Sequence, residues 1–268
     1  MTSQQSATRV GAGWRLLLLA LLALSSMGPL VLLGVWSVSG AWFSPALVPA
    51  ELTLVAWRSI GGGLTSALVT STALALATAS LACVVGLPAG RALATLRGWR
   101  RNVAAAAAFL PVAAPPLALG TGLQVVALTA GVGGTFTGVL LAHLVPATGY
   151  LALIFLGTFT LWDARAEEAA RTLGATRSQV WRRITLPMLR GPIAEGAAIG
   201  FLVSWSQFAL TLLVGGGAVR TLPLEVFAYV RAGEDRAAAV GALLLIVPPA
   251  LALAALRWSA RRTAVHVA

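Results

Sequence analysis

The chain has 268 residues, 58% of them hydrophobic and only 10% charged, with a mean hydropathy of +0.87. Soluble domains carry about 25% charged residues, so this composition excludes an ordinary water-soluble domain and makes the bilayer the natural solvent. The net charge of +11 comes from 19 arginines and no lysine, against 8 acidic residues. The arginines fall in gaps between apolar runs, not on one basic face laced with aromatics, which argues against nucleic acid as a partner.

A bilayer-crossing helix needs about 20 mostly apolar residues. Six stretches qualify: Leu16–Val38, Leu64–Gly90, Val103–Leu128, Thr137–Leu156, Ile193–Val214 and Ala237–Arg257. The second carries Pro88, the third Pro111, Pro115 and Pro116, and the sixth Pro248 and Pro249. Membrane helices tolerate proline because neighbours re-satisfy the freed carbonyls, but the proline pairs blur the limits of spans three and six. Arg9 and Arg15 ahead of the first run, with Ser25 and Ser26 further on, also resemble a secretory signal. Apolar character resumes after Gly28-Pro29 and continues to Val38, which favours an uncleaved anchor. The single cysteine, Cys83, lies in an apolar run and reads as a small packing residue.

The arginines set an expected orientation. With the N-terminus inside, the inner segments hold Arg9, Arg15, Arg91, Arg97, Arg100, Arg101, Arg165, Arg171, Arg177, Arg182, Arg183, Arg190, Arg257, Arg261 and Arg262, or 15 of the 19. Arg58, Arg220, Arg231 and Arg236 fall outside. By the positive-inside rule both termini, and the loop between spans four and five, belong in the cytoplasm.

That loop predicts a helix, a turn and a second short helix. Asp163 is placed to cap the first helix, with Glu167 and Glu168 in its early turns where acidic groups suit the dipole. Ala169 and Ala170 leave a surface of small residues on which another protein can sit closely, and Gly174 is the expected left-handed stop. Thr176 with Gln179 fits a capping box opening the second helix, and Pro187 either ends that helix or leads into the next span. An ordered, charged hairpin is an odd way merely to join two spans; it reads as a docking element.

Glu168, Ala169, Ala170, Gly174, Ile184, Leu186 and Pro187 stand at the residue types and gaps of the EAA signature, Glu-Ala-Ala, three residues, Gly, nine residues, Ile-x-Leu-Pro. The segment thus resembles the EAA loop of binding-protein-dependent ABC permeases. The wider chain, from about Leu64 to Leu256, looks like the MetI-type permease domain of type I importers. The resemblance implies an all-α membrane protein of six transmembrane helices with the MetI-like type I ABC importer permease fold. It also implies a coupling helix at roughly Ala164–Leu173 that inserts into a groove on a cytosolic ATPase dimer, whose closure drives rigid-body rocking of the spans. Glu167 belongs to the same coupling set. The expected organisation is a cytosolic tail over 1–15, a first span over 16–38 and an external loop over 39–63. A permease domain over 64–257, with its coupling loop at 160–190, and a cytosolic tail over 258–268 complete it.

A nucleotide-binding P-loop needs a lysine, and these residues include none, so ATP hydrolysis is expected from a separate subunit. No catalytic, metal or cofactor motif is present; His143 and His266 sit in a span and a tail. Ser204, Trp205, Ser206, Gln207 and Phe208 form the most polar intramembrane cluster. They either line the translocation route, as the resemblance implies, or serve helix–helix packing. Gln124 and His143 are weaker candidates of the same kind, a lone intramembrane histidine being more often a satisfied interhelical donor. Glu195 is expected to pair with an arginine near the cytosolic end of span five, and Glu225, Glu234 and Asp235 to meet the solute-binding protein or water.

The stretch from Thr221 through Leu245 resembles the second permease of spermidine/putrescine-type importers, a subfamily that also serves iron, thiamine and phosphonate. Polyamine permeases tend to carry acidic residues where this chain has Ser206 and Gln207, so polyamine itself is in question. The implied partners are the ATPase dimer, a second permease forming a heterodimer, an extracytoplasmic solute-binding protein and lipid. A secondary transporter would show buried ionisable groups for ion coupling, and a membrane assembly factor would have no reason to carry a complete EAA segment.

Overall fold

Among the helices long and apolar enough to cross a membrane, Phe136–Thr160 is the most buried within the chain, and its composition says why. Every turn of its inward face carries an apolar or small residue, and Val139, His143, Ala147, Leu151 and Phe155 are each 0% exposed. The computed structural model describes residues 3–42, 45–58 and 62–265, with side chains for 14–42, 45–58 and 62–254. His266 and the side chains of Arg9, Arg257, Arg261 and Arg262 lie outside the described residues.

In chain order the helices are α1 (Ser3–Ser37), α2 (Val55–Arg58), α3 (Gly62–Thr95), α4 (Gly98–Ala113), α5 (Pro116–Thr129) and α6 (Phe136–Thr160). There follow α7 (Arg165–Thr172), α8 (Arg177–Val180), a wide π-type turn over Trp181–Thr185, α9 (Leu186–Met188) and α10 (Arg190–Trp205). The last three are α11 (Ala209–Gly215), α12 (Leu222–Ala232) and α13 (Asp235–Val265). Among the described residues the β-structure is one isolated bridge, Ser39 to Leu52.

Among the described residues, four helical stretches are long and apolar enough to cross a membrane: Trp14–Ser37, Gly62–Thr95, Phe136–Thr160 and Asp235–Ala254. They match expected spans one, two, four and six. Spans three and five differ from expectation because each is interrupted. At Ala114 and Pro115 the backbone is extended, as the residue before a proline prefers, and α4 and α5 meet at 96°. Sixteen residues of α4 rise only about 24 Å, short of the roughly 30 Å hydrocarbon core. The predicted helix Ile193–Val214 is split into α10 and α11, and α10 itself bends by 63° from the segment before it. By length and composition, counting the bent pairs Gly98–Ala113 with Pro116–Thr129 and Arg177–Met188 with Arg190–Trp205 as one span each gives up to six among the described residues. In α13, by contrast, Pro248 and Pro249 leave the helix unbroken.

The chain forms two compact units, Met1–Leu64 with Glu225–Ile246, and Thr65–Leu224 with Val247–Ala268. In the first, α1 runs without a break through Gly28-Pro29, and none of its most apolar stretch is buried within the chain. Its end is fastened by a short ladder, Thr53 N–H to Val38 carbonyl and Gly40 N–H to Glu51 carbonyl, and by the edge-on pair Trp36 and Trp42.

In the second unit α6 is the axis, touched by α4, α10 and α11. Glycines make the close approaches possible. On α3, Gly86 and Gly90 face the backbone of α6, where an added Cβ would sit 2.7 Å from the Cβ of Leu151 and 2.5 Å from that of Phe155. On α10, Gly196 lies under the Phe155 ring and Gly200 against Ala79 of α3. Both pairs have the spacing that lets membrane helices pack backbone to backbone.

Candidate functional site

The segment between α6 and α10 folds as the expected hairpin. Gly174 has φ +84°. Its amide donates to the Arg171 carbonyl, and the Ala175 amide to the Ala170 carbonyl, so two carbonyls in the last turn of α7 are closed by a left-handed turn. Thr176 and Gln179 make the reciprocal capping box, Gln179 N–H to Thr176 Oγ1 at 3.3 Å and Thr176 N–H to Gln179 Oε1 at 2.8 Å. Asp163 acts one residue away from its expected place. The N-cap residue is Ala164, and Asp163 Oδ1 accepts from the Arg165 amide at 3.0 Å, preceding the helix with a side-chain turn.

Pro187 does not end the second helix. The chain stays helical through Met188 by widening first, with the Leu186 amide reaching the Trp181 carbonyl across the π-type turn. Pro187 has no N–H to offer the Arg183 carbonyl four residues back, and the wide turn lies immediately before it. The true bend follows at Leu189.

Outward and inward residues of the hairpin separate cleanly. Glu168, Ala169, Gly174 and Leu186 are exposed, while Ala170, Ile184 and Pro187 are half-buried. Leu173 is 88% exposed, an apolar side chain on the outermost turn. Glu167 turns inward. Its Oε1 accepts from the Thr185 hydroxyl at 2.7 Å, and its Oε2 lies 3.7 Å from Arg91 Nη2. Arg91, at the end of α3, also stands 5.5 Å over the Phe159 ring. Sequence reasoning used Arg91 only as a count of charge; nothing local links it to residue 167.

The five-residue cluster divides at the break between α10 and α11. Ser204 and Trp205 are buried, with Trp205 stacked on Phe201. Ser206 is exposed, and Gln207 and Phe208 are half-buried. His143 supplies what holds the break. Its Nδ1 lies 2.9 Å from Ser204 Oγ and its Nε2 lies 3.0 Å from Thr211 Oγ1, so one imidazole spans α6, α10 and α11. Thr211 gives its own proton to the Gln207 carbonyl at 3.2 Å. It therefore accepts from Nε2–H, and Nδ1 accepts from Ser204. His143 is thus the satisfied interhelical residue expected of it. Gln124 is half-buried, and Glu195 is exposed and belongs to neither ion pair found among the described residues, contrary to its expected arginine partner. Glu225 is half-buried on α12, and Glu234 and Asp235 are exposed where α13 begins.

The family described as "Binding-protein-dependent transport system inner membrane component" matches residues 82–265. The chain belongs to this family. It is a membrane-spanning permease component of an ABC import system rather than an enzyme in its own right. The molybdenum transport system permease protein ModB of Mycobacterium tuberculosis (strain ATCC 25618 / H37Rv) is 30% identical over 197 residues, covering 68% of this chain and 75% of the relative. The spermidine/putrescine transport system permease protein PotC of Haemophilus influenzae is 27% identical over 184 residues, covering 69% and 72%. The fold is that of a solved bacterial ABC transporter involved in the import of the acidic polysaccharide alginate. The TM-score is 0.73 at 15% identity, over 94% of this chain and 96% of that one. The permease thus has the expected all-helical fold, with the EAA hairpin set between α6 and α10.

Proposed function

We propose that this permease docks through the outer face of α7 and the Gly174 turn onto a separate cytosolic ATPase, and passes a small solute delivered by an extracytoplasmic binding protein. The observation that carries this is the division of the hairpin. Its inner side is tied down through Glu167, whereas Glu168, Ala169, Leu173 and Gly174 are left exposed in an order suited to a partner's groove. An exposed leucine beside small residues and a glutamate is chemistry that protein contact would bury. The hairpin and both termini face the cytoplasm, as the arginine distribution supports. A second permease completes the pathway, and Ser206, Gln207 and Phe208 at the broken segment line it, with Ser204 and Trp205 behind them.

For the solute, the polyamine-type resemblance supports a polyamine or a related small solute. A second reading is an oxyanion, favoured by the neutral break of Ser206 and Gln207, which offers hydroxyl and amide groups but no carboxylate to a dication. Calorimetric titration of the partner binding protein with spermidine, putrescine and molybdate separates the two; tight binding of molybdate alone removes the polyamine reading. For the docking itself, the permease is purified and the co-purifying ATP-hydrolysing subunit is quantified. Glu168→Arg reverses a charge on the docking face, and Gly174→Pro forbids its φ of +84°. Each is expected to reduce the bound ATPase at least tenfold; retention at the unmodified level by both variants contradicts the proposal.

A further inference from the structure

Glu167 is the one buried residue of α7. The helix has eight residues, its N-cap position carries Ala164 with no side-chain cap, and a helix this short has no independent stability in water. Its attachment to the rest of the permease is therefore concentrated on one carboxylate. Four elements meet there: α3 through Arg91, α6 through Phe159, α7 through Glu167 and the wide turn before α10 through Thr185. Thr185 is 1% exposed and Glu167 6% exposed, so this junction is interior to the protein, not a solvated surface pair. Arg91 is held on two sides, by the carboxylate at 3.7 Å and by the Phe159 ring at 5.5 Å, and Phe159 packs in turn on Trp162 at 5.6 Å.

We infer that Glu167 is the positioning residue that makes α7 move as one body with the bundle. A load applied to the outer face of α7 reaches α3 through the Arg91 ion pair, and reaches α10 through Thr185 and the wide turn. The motif glutamate, Glu168, points the other way and is left for the partner. This inference rests on the reading of the hairpin as an ATPase-docking element, and it deepens that reading by separating holding the ATPase from transmitting its motion. Loss of Glu167 is expected to leave docking intact and break transmission.

The test uses the assembled transporter in lipid nanodiscs, with ATP hydrolysis measured with and without saturating solute-loaded binding protein. The ratio of the two rates reads transmission, and the amount of bound ATPase reads docking. Glu167→Gln keeps an acceptor for Thr185 but removes the charge facing Arg91; Arg91→Met removes the cation. Both are expected to retain the ATPase while the ratio falls at least fivefold. The reversed pair Arg91→Glu with Glu167→Arg restores the ion pair but leaves Thr185 without its acceptor, and is expected to return the ratio to within two- to threefold of the unmodified transporter. If both single variants hold the ATPase and keep the ratio, or lower the two rates in parallel, the inference is overturned. If the unmodified permease holds no ATPase, the docking reading falls and the inference falls with it. Should the single variants not assemble, Thr185→Val, which deletes only the hydroxyl donor, is expected to lower the ratio two- to threefold; an unchanged ratio there overturns the inference as well.

Discussion

Two polar clusters hold the irregular parts of this apolar chain, and they are built from opposite chemistry. Around Glu167 the groups are charged: a carboxylate, a guanidinium and a hydroxyl joining the hairpin to α3 and to the turn before α10. Around His143 every group is neutral: an imidazole between two hydroxyls, with a backbone carbonyl closing the chain. The difference follows from access to water. The Arg91 side chain keeps 45% of its surface exposed, so the ion pair retains solvation on one side. His143, Thr211 and Ser204 are 0%, 0% and 4% exposed, where an unpaired charge is costly and a closed circuit of neutral donors and acceptors is not.

Four substitutions break or sharpen this contrast. His143→Ala should have the largest effect on stability. It removes two interhelical hydrogen bonds, strands the buried Ser204 hydroxyl while Thr211 keeps its bond to the Gln207 carbonyl, and opens a cavity at the axis of α6, for a loss of about 3 kcal/mol; equilibrium unfolding in mixed micelles measures it. Glu167→Ala should cost less, about 2 kcal/mol, because Arg91 can turn to water while Thr185 loses its acceptor. If it proves costlier than His143→Ala, the ranking by water access is wrong. Thr176→Ala should cost about 1 kcal/mol as a lost capping residue. Its effect should be local, seen as faster amide exchange at Gln179 with the bundle unchanged. Asp163→Asn keeps an acceptor for the Arg165 amide and loses only the 3.8 Å pair between two mostly exposed side chains. It should change stability by less than about 0.5 kcal/mol.

The hairpin was legible because its signals are local. A left-handed glycine, a Thr-x-x-Gln box and an alanine-rich first helix each act within a turn, and the structure realises all three. The break after Trp205 was not legible, since no glycine or proline marks it. It is bridged by His143, which lies 61 residues from Ser204 and 68 from Thr211 in sequence. The two proline pairs make the same point. Pro115-Pro116 separates helices bent by 96°, whereas Pro248-Pro249 passes inside one continuous helix, so surroundings and not the dipeptide decide. Some legible information went unread. Gly86 with Gly90, and Gly196 with Gly200, have the four-residue spacing of close helix packing, and they mark where α3 and α10 approach their neighbours. The inward role of Glu167 needed the fold, because its partners Arg91 and Thr185 come from different helical segments.

The central claim is that the exposed face of α7 is the seat of an ATPase, and a single cross-linking measurement tests it. A cysteine is placed at Leu173, 88% exposed on that face, and a control cysteine at Leu117, 60% exposed on α5, each with the native thiol removed as Cys83→Ser. Cells expressing the transporter are treated with a short reagent that joins the introduced thiol to a nearby amine. The account predicts an adduct between the Leu173→Cys chain and an ATP-hydrolysing subunit, with none from the Leu117→Cys chain. No adduct at Leu173, or equal adducts at both positions, contradicts it.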